Sequence, residues 1–569
     1  MPPRFLAAAD SALLVELGDT VSEAASGAVV ALCARIAATP PAGVVEAIPA
    51  LCSVLIEYDP LRTSQARLRD DVERLMQSSL ATTPARAARE HAIAVRYDGE
   101  AAPDLDAVAT ATGLGRDEVV RLHTAPRYRV AMLGNLPGLP YLLGLDPRLE
   151  VPRRDDPRDA VPPGSVAIAG RLTCVYPSAG PGGWNLVGRT DATLFDAQRT
   201  PAALLAPGDT VRFVATSAQS HAAAPPEDTA QPAPASPDSA AAPSLLVIEP
   251  GLLTTVQDSG RRGHQRDGVP VCGALDAELL RVANLLAGNP AGTAALEVTH
   301  SGPLLEADAP SVRIAVAGEC DMVRITTGGV AIPVEPWRSL LLRRGERLRV
   351  GQVRDGLRCV VAVEGGIAVP PVLGSRSTYL RGGFGGVQGR ALRSGDRLPL
   401  SREYAGHHPD VRLDPPAVRE AGFATAPITV VRAVAGPQDA AVDAASLRSL
   451  FASELTVSPR SDRVGLRLAG LRLHHRASAD IVSDGCAAGS VQVPGSGQPI
   501  VLLADRGTTG GYAKVATVAS VDLPRLARLR PGARVRVEAC TVAGAEDLRR
   551  AREARLATLA DALEPVAGA

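Results

Sequence analysis

One lysine, Lys514, stands among the 569 residues of this chain; every other basic side chain is arginine. That scarcity excludes a good deal. A P-loop needs Gly-Lys-Ser/Thr, whereas Lys514 lies between Ala513 and Val515. A biotinyl-carrier lysine sits between methionines, and none is near. Schiff-base chemistry has only Lys514 to use. Net charge is nearly absent too: 60 Lys and Arg against 61 Asp and Glu leave −1, with a pI of about 6.8. No global field therefore favours nucleic acid or an acidic membrane. No uninterrupted apolar run reaches the roughly 18 residues of a membrane span, and Asp10 breaks the run Leu6 to Leu14, a poor signal peptide. The eight cysteines form no Cys-x-x-Cys pair and the nine histidines no His-Glu-x-x-His motif. No Gly-x-Ser-x-Gly elbow and no complete Gly-x-Gly-x-x-Gly fingerprint occurs. The expectation is a cytoplasmic protein with buried reduced thiols and no metal site, membrane segment or nucleic-acid partner.

What is abundant is glycine (54) and proline (47), above the usual shares of about 7% and 5%, which points to a turn-rich, mainly β chain. The length exceeds one core, and roughly three to five domains are expected at about 100–200 residues each. Residues 216–244 run in Thr, Ala, Pro, Ser and Asp without buried periodicity and read as a flexible linker. Each flanking half splits again: a small α/β unit over 1–85 and a β-barrel over 86–215, then β-rich domains over 245–425 and 426–542 and a C-terminal helix over 543–569. Helical spacing marks Ser22 to Thr39, about Leu61 to Gln77, Asp106 to Thr112, Asp117 to His123 and Asp276 to Ala287, the last with Asp276 as N-cap and Gly288 as terminator. A final Arg/Ala-rich helix is expected over Ala545 to Leu563. A turn-then-strand pattern recurs at Gly208, Gly345, Gly395 and Gly532.

Four stretches are denser in Gly, Arg and small polar residues than packing requires: Leu133 to Leu145, Pro177 to Thr190, Gln257 to Gly263 and Gly374 to Gly389. Successive glycines let backbone N–H groups face an anion, and arginine offers a bidentate fork for phosphate or carboxylate. The same glycines equally serve tight turns at barrel corners. Arg189, Arg261, Arg376 and Arg463 stand beside Gly, Ser or Asp and are candidates for ligand contact. Ser461-Asp462-Arg463, Ser483-Asp484-Gly485 and Asp505 to Tyr512 place carboxylates beside loops, where Asp is either a general base or a turn former. His123 closes a helix and reads either as catalytic or as a partner of the helix dipole.

In their order these motifs resemble a known family. Residues 4–215, through Gly18-Asp19, Ile48-Pro49-Ala50, His123, Pro137-Gly138 with Tyr141, Pro152-Arg153, Pro181-Gly182-Gly183-Trp184 and Gly188-Arg189-Thr190, resemble the B subunit of the prokaryotic 5-oxoprolinase (KipI type, also called allophanate hydrolase subunit 1). Residues 245–542, through Gln257-Asp258-Ser259-Gly260-Arg261, Asn284, Gly374-Ser375-Arg376-Ser377-Thr378, Ser461-Asp462-Arg463, Gln492-Val493-Pro494 and Thr508-Thr509-Gly510-Gly511-Tyr512, resemble its C subunit (KipA or carboxyltransferase type). The resemblance implies a mainly β, α+β fold of cyclophilin-like β-barrels with a small N-terminal α/β unit. It implies ATP-dependent opening of 5-oxo-L-proline to L-glutamate with a separate A subunit of the LamB/YcsF type, ATP (with Mg) being a co-substrate; a homo-oligomer is compatible. Phosphorylating the lactam oxygen would supply the leaving group that a resonance-stabilised amide lacks. On this reading His123, Asp258 and Asp484 are the acid/base candidates. Substrate and nucleotide contacts are Pro137, Gly138, Tyr141, Arg153, Gly182, Gly183, Arg189, Thr190, Gln257, Arg261, Ser375, Arg376, Ser377, Thr378, Arg463, Gln492, Thr508, Thr509, Gly510, Gly511 and Tyr512. Two other functions share these units: a urea-carboxylase-like, biotin-dependent carboxyltransferase and a KipI-like inhibitor of a histidine kinase. Asn135 and Leu139 replace two phenylalanines usual in the family, and Leu275, Val464 and Ala513 replace Met, Met and Pro.

Overall fold

The computed structural model describes residues 2–77, 87–216 and 242–566. The linker expected over 216–244 lies, but for its ends, outside the described residues. The first unit is a four-stranded antiparallel sheet in the order Arg4–Ala8, Ala12–Glu16, Ser53–Tyr58, Val44–Pro49. Successive side chains on a strand point to opposite faces, and the sequence uses both. Leu13, Val15, Val54 and Ile56 meet the helices Glu23–Ala38 and Gln65–Gln77, whereas Ala12, Leu14 and Leu55 face Ala487 of the far C-terminal half. Ser22 caps the first helix by accepting from the Ala25 N–H at 3.2 Å.

The second unit is a seven-stranded barrel in the order Asn185–Arg189, Ser165–Ala169, Leu172–Val175, Pro140–Leu143, Tyr128–Leu133, Thr210–Ala215, Glu90–Val95. Its ends close through Arg96 and Arg189, whose main chains exchange hydrogen bonds of 2.8 and 2.9 Å. The helices Leu105–Thr112 and Arg116–Thr124 pack Leu105, Val108, Val119 and Leu122 into the barrel's core with Phe213.

After residue 242 a six-stranded and a seven-stranded sheet enclose a core of Val247, Leu296, Leu305, Ile314, Leu348 and Val361. The helix Ala277–Leu286 covers the outer face of the seven-stranded sheet. Asp276 accepts from the Glu278 and Leu279 N–H groups at 3.1 and 2.9 Å, and Gly288 (φ 72°) ends the helix, as expected. The last unit is an eight-stranded barrel, closed by pairing of Ile428–Ala435 with Thr509–Val518. The four recurrent turn glycines adopt φ of 93°, 81°, 88° and 87°, each just before a strand. The whole is the mainly β, barrel-based α+β fold expected.

One element differs. The final helix spans Val542–Ala557, and Leu563–Pro565 instead forms a strand against Val411–Leu413. Leu563 packs beside Leu413 and Leu559, and this burial ends the helix early.

Candidate functional site

The two halves meet along a continuous seam. Gly138 N–H donates to the Asp267 carbonyl at 2.8 Å, and Leu133 bridges Asp267. A Cβ at Gly134 would overlap the Thr509 side chain, so this glycine sets the closeness of approach. Further along, Glu46 accepts from the Gly263 and Arg266 N–H groups at 3.0 and 3.2 Å, and Glu57 accepts from Gln265 at 2.7 Å and Arg506 at 2.8 Å. Burial, with Glu57 alongside, raises the Glu46 carboxyl above its usual range. Phe195 of the first barrel lies 5.9 Å from Phe384 of the second half.

Within this seam opens a cavity of about 1060 Å³, large enough for a small-molecule ligand. Three elements wall it: the segment Asp19–Glu23 at the start of the first helix, the barrel residues Tyr141, Arg153 and Trp184, and the strand residues Asp480–Ser483. Tyr141 stands edge-on to Trp184, with ring centroids 5.7 Å apart at 83°. Burial holds its phenol protonated far above the usual range. Arg153 reaches across the seam to Asp480 at 3.5 Å.

Behind the strand residues Asp480–Ser483 two glycines allow close packing. A Cβ at Gly510 would lie 2.6 Å from Gln492 Nε2 and 3.0 Å from Cys486 Sγ; one at Gly511 would lie 3.3 Å from Ser483 Oγ and 3.4 Å from Arg153 Nη2. The bare backbone here lets four side chains converge. Behind them Lys514 Nζ donates to Asp484, which also accepts from Gln438 Nε2 at 2.9 Å. Gln438 Oε1 in turn accepts from the Lys514 N–H at 3.2 Å. Asp484 and Lys514 are both buried, and desolvation raises the Asp484 carboxyl against the pull of Lys514. Burial likewise pushes the Cys486 thiol up to about 11, so it remains protonated.

Of the sequence candidates, Tyr141 and Arg153 line the cavity; Gly511 packs against its residues Ser483 and Arg153, while Asp484, Gln492 and Gly510 lie behind that strand and the exposed Tyr512 pairs with Asp480. Pro137, Gly138, Thr508 and Thr509 lie in the buried seam beside the cavity. Gly182 makes room for the Tyr176 hydroxyl, and the Gly183 carbonyl accepts from Arg154 N at 2.8 Å.

Other candidates stand elsewhere. His123 is in the core of the first barrel, stacked on Phe213 at 4.8 Å, with Nδ1 2.8 Å from the Tyr97 hydroxyl and Nε2 3.0 Å from Thr173 Oγ1. Thr173 donates its own proton to the Ala167 carbonyl at 3.0 Å, so the ring is neutral with its proton on Nε2. Arg189 closes the barrel through its main chain, and Thr190 Oγ1 accepts from the Ala192 N–H at 3.1 Å. Asp258 binds the 375–377 loop, accepting from Ser375 Oγ at 2.7 Å, Ser377 Oγ at 2.5 Å and Arg376 N at 2.6 Å. Gln257 donates to Thr255 Oγ1 at 3.1 Å and to the Thr378 carbonyl at 3.2 Å.

The arginines there face inward. Arg261, fully buried over the Phe384 ring, donates to the Val372 and Ser377 carbonyls at 2.9 and 2.8 Å; Arg376 donates to the Val369 carbonyl at 2.8 Å. Arg463 pairs with Asp505 at 2.9 Å and with Glu297. These guanidiniums hold loops together, and none lines the seam cavity. Sequence reasoning missed Trp184 as a wall, and it missed Gln438 and Lys514 as partners of Asp484. The signal for Lys514 was its uniqueness. No group of three or more His, Cys, Asp or Glu among the described residues is placed to hold a metal ion.

Residues 3–205 match the carboxyltransferase domain, subdomain C and D, and residues 267–539 the carboxyltransferase domain, subdomain A and B. The chain is 37% identical over 298 residues to the C subunit of the 5-oxoprolinase of Escherichia coli (strain K12), covering 52% of this chain and 92% of that one. It is 40% identical over 216 residues to the B subunit of the 5-oxoprolinase of Bacillus subtilis (strain 168), covering 36% of this chain and 89% of that one. A urea amidolyase of Lachancea kluyveri is 29% identical over 341 residues, which are 55% of this chain but 18% of that one. The crystal structure of TTHA0988 superposes with a TM-score of 0.78 at 36% identity, over 92% of this chain and 99% of that one. The chain belongs to the carboxyltransferase-domain family that includes the B and C components of 5-oxoprolinase, with a B-type and a C-type unit joined in one polypeptide.

Proposed function

We propose that this protein is the fused B–C component of an ATP-dependent 5-oxoprolinase, opening 5-oxo-L-proline to L-glutamate with a separate A subunit of the LamB/YcsF type. The observation that carries the reading is the shared cavity: its walls come from the B-like half (Tyr141, Arg153, Trp184) and the C-like half (Asp480–Ser483), and neither half completes it alone.

The substrate is a small ring bearing one carboxylate and one lactam. Arg153 offers a guanidinium fork to the carboxylate, and the Trp184–Tyr141 wall offers an apolar surface to the ring methylenes. Asp480 and Ser483 of the other half share the cavity with them, where polar groups would orient the lactam. ATP would transfer its γ-phosphoryl group to the lactam oxygen, giving ADP. Water would then add at the activated carbon, the C–N bond would break with the freed nitrogen taking a proton, and a second water would hydrolyse the resulting γ-acyl phosphate to glutamate and inorganic phosphate. Asp484, held by Lys514 and Gln438, keeps the strand that carries Ser483 in register and serves as a positioning residue.

The test mixes the purified chain with the A subunit, ATP and 5-oxoproline and measures glutamate and ADP. Stoichiometric glutamate and ADP, lost when either protein is omitted, are expected. A second reading, biotin-dependent carboxyl transfer, is favoured by the match to urea amidolyase over 55% of the chain. Carboxyl transfer from free carboxybiotin to urea, with no glutamate in the first assay, would establish it instead.

A further inference from the structure

A second cavity, of about 510 Å³, lies in the C-like half and is lined by none of the residues of the seam cavity. It opens at one end of the seven-stranded sheet, where the strands Arg338–Arg343, Arg358–Val363 and Val411–Leu413 meet the helix Pro415–Glu420. Four independent features mark it.

First, arginine is in excess. Arg338, Arg358, Arg412, Arg419 and Arg528 line it against Glu319, Glu335 and Asp355. Two of those carboxylates are engaged: Glu319 accepts from Trp337 Nε1 at 2.6 Å, and Asp355 from Thr425 N at 3.0 Å. Arg528 is held by Asp276 and Glu278 and Arg412 by Glu564, whereas Arg338 and Arg419 make no ion pair among the described residues. Second, Arg338 and Arg412 are directly opposed in the antiparallel register. Like charges so placed repel unless an anion lies between them. Burial and the facing Arg412 depress the Arg338 guanidinium, while Asp410 and Glu335 act against them. Third, Arg358 is buried at the cavity floor, its Nη1 donating to the Ala527 carbonyl and its Nε, without a hydrogen bond, 3.9 Å from Glu297. Fourth, Trp337 holds φ at 59°, a left-handed backbone that a bulky side chain rarely adopts and that collects at binding sites. Its indole, pinned by Glu319 and packed on Phe423 at 5.1 Å, forms the flat wall.

We propose that this cavity is a second ligand site, taking a planar aromatic anion of about mononucleotide size. The ring would lie against Trp337, and its phosphate or carboxylate between Arg338, Arg412 and Arg419. The site shares no lining residue with the seam cavity, and it does not depend on the function proposed there.

The chain has two tryptophans, so Trp184→Phe leaves Trp337 as the sole indole reporter. That protein, excited selectively at its indole, is titrated with AMP, phenylacetate and inorganic phosphate. A saturable change in Trp337 emission is expected with AMP if the natural anion is a phosphate, or with phenylacetate if it is a carboxylate. Arg419→Ala, at an exposed position, and Arg338→Gln should each weaken that binding about tenfold, while Arg460→Ala, outside the cavity, leaves it unchanged. Several results would overturn the proposal: no saturable response to either aromatic anion up to about 10 mM, inorganic phosphate binding as tightly as AMP, or affinity indifferent to both cavity arginines.

Discussion

Acid should destabilise the first barrel through one side chain, His123. Burial among Tyr97, Tyr128 and Phe213 pushes its pKa from the ordinary 6.5 down to about 3. A depressed pKa means that the unfolded chain takes up the proton first. The stability linked to His123 is therefore intact above pH 6.5 and is lost progressively as pH falls toward 3. Between pH 7 and pH 5 the protonated unfolded state gains about 1.4 kcal/mol per unit over the roughly 1.5 units below 6.5, or about 2 kcal/mol. For a domain of this size that lowers the melting temperature by roughly 5–10 °C. The assay compares thermal melts at the two pH values for the wild type and for His123→Gln, which keeps a polar group near Tyr97 and Thr173 but does not titrate. The wild type should lose those degrees and the variant should lose far fewer. Equal losses in the two proteins would refute the reasoning. Because His123 lies in the barrel core and lines no wall of the seam cavity, His123→Gln should also retain oxoproline turnover at neutral pH.

Lys514→Met strands a buried Asp484 without its cation and should cost about 3–5 kcal/mol, seen as a lower first melting transition. The double variant Lys514→Met/Asp484→Asn should recover most of that loss, and failure to recover would show that the pair is not coupled. Gly510→Ala sets a Cβ against Gln492 and Cys486. It should lower turnover of the assembled enzyme at least ~10-fold while costing only about 1–3 kcal/mol of stability, measured by parallel assay and melt. Arg153→Ala should raise the KM for oxoproline about 10- to 100-fold with a smaller fall in kcat, and Arg153→Lys should rescue part of it; a pure kcat effect would remove Arg153 from carboxylate binding.

Local signals in the sequence translated well because their causes are local. Ser22 and Asp276 cap helices since a side-chain oxygen beside free N–H groups has one obvious use, and Gly208, Gly345, Gly395 and Gly532 turn because only glycine takes positive φ without cost. The arginines were not decidable in the same way. A guanidinium fork satisfies a carbonyl, a carboxylate or a phosphate equally, so Arg261 beside Gly-Ser reads as a ligand contact until the fold shows Val372 and Ser377 in its reach. Asp258 is similar: its hydrogen bonds to Ser375, Ser377 and Arg376 span more than a hundred residues of chain. The strand Leu563–Pro565 was hidden for a related reason, since an Arg/Ala-rich segment favours helix until an edge strand is there to pair with it.

The seam shows what joining the two halves achieves physically. Its contacts combine a small apolar patch (Leu14, Ile48, Leu55 against Ala487) with a charged network of Glu46, Glu57, Gln265 and Arg506. The network is costly to desolvate: Glu46 titrates high because burial and Glu57 both oppose its charge. The B and C subunits of 5-oxoprolinase to which the two units are similar are separate chains, whereas here the units are joined. Covalent linkage makes the same contact intramolecular, at effective concentrations of order mM, so a polar seam need not be tight to stay closed. The two halves place polar groups together both in this network and at the cavity wall, where Arg153 of one half faces Asp480 and Ser483 of the other, whereas the arginines of the Gly-Ser loops turn inward onto carbonyls.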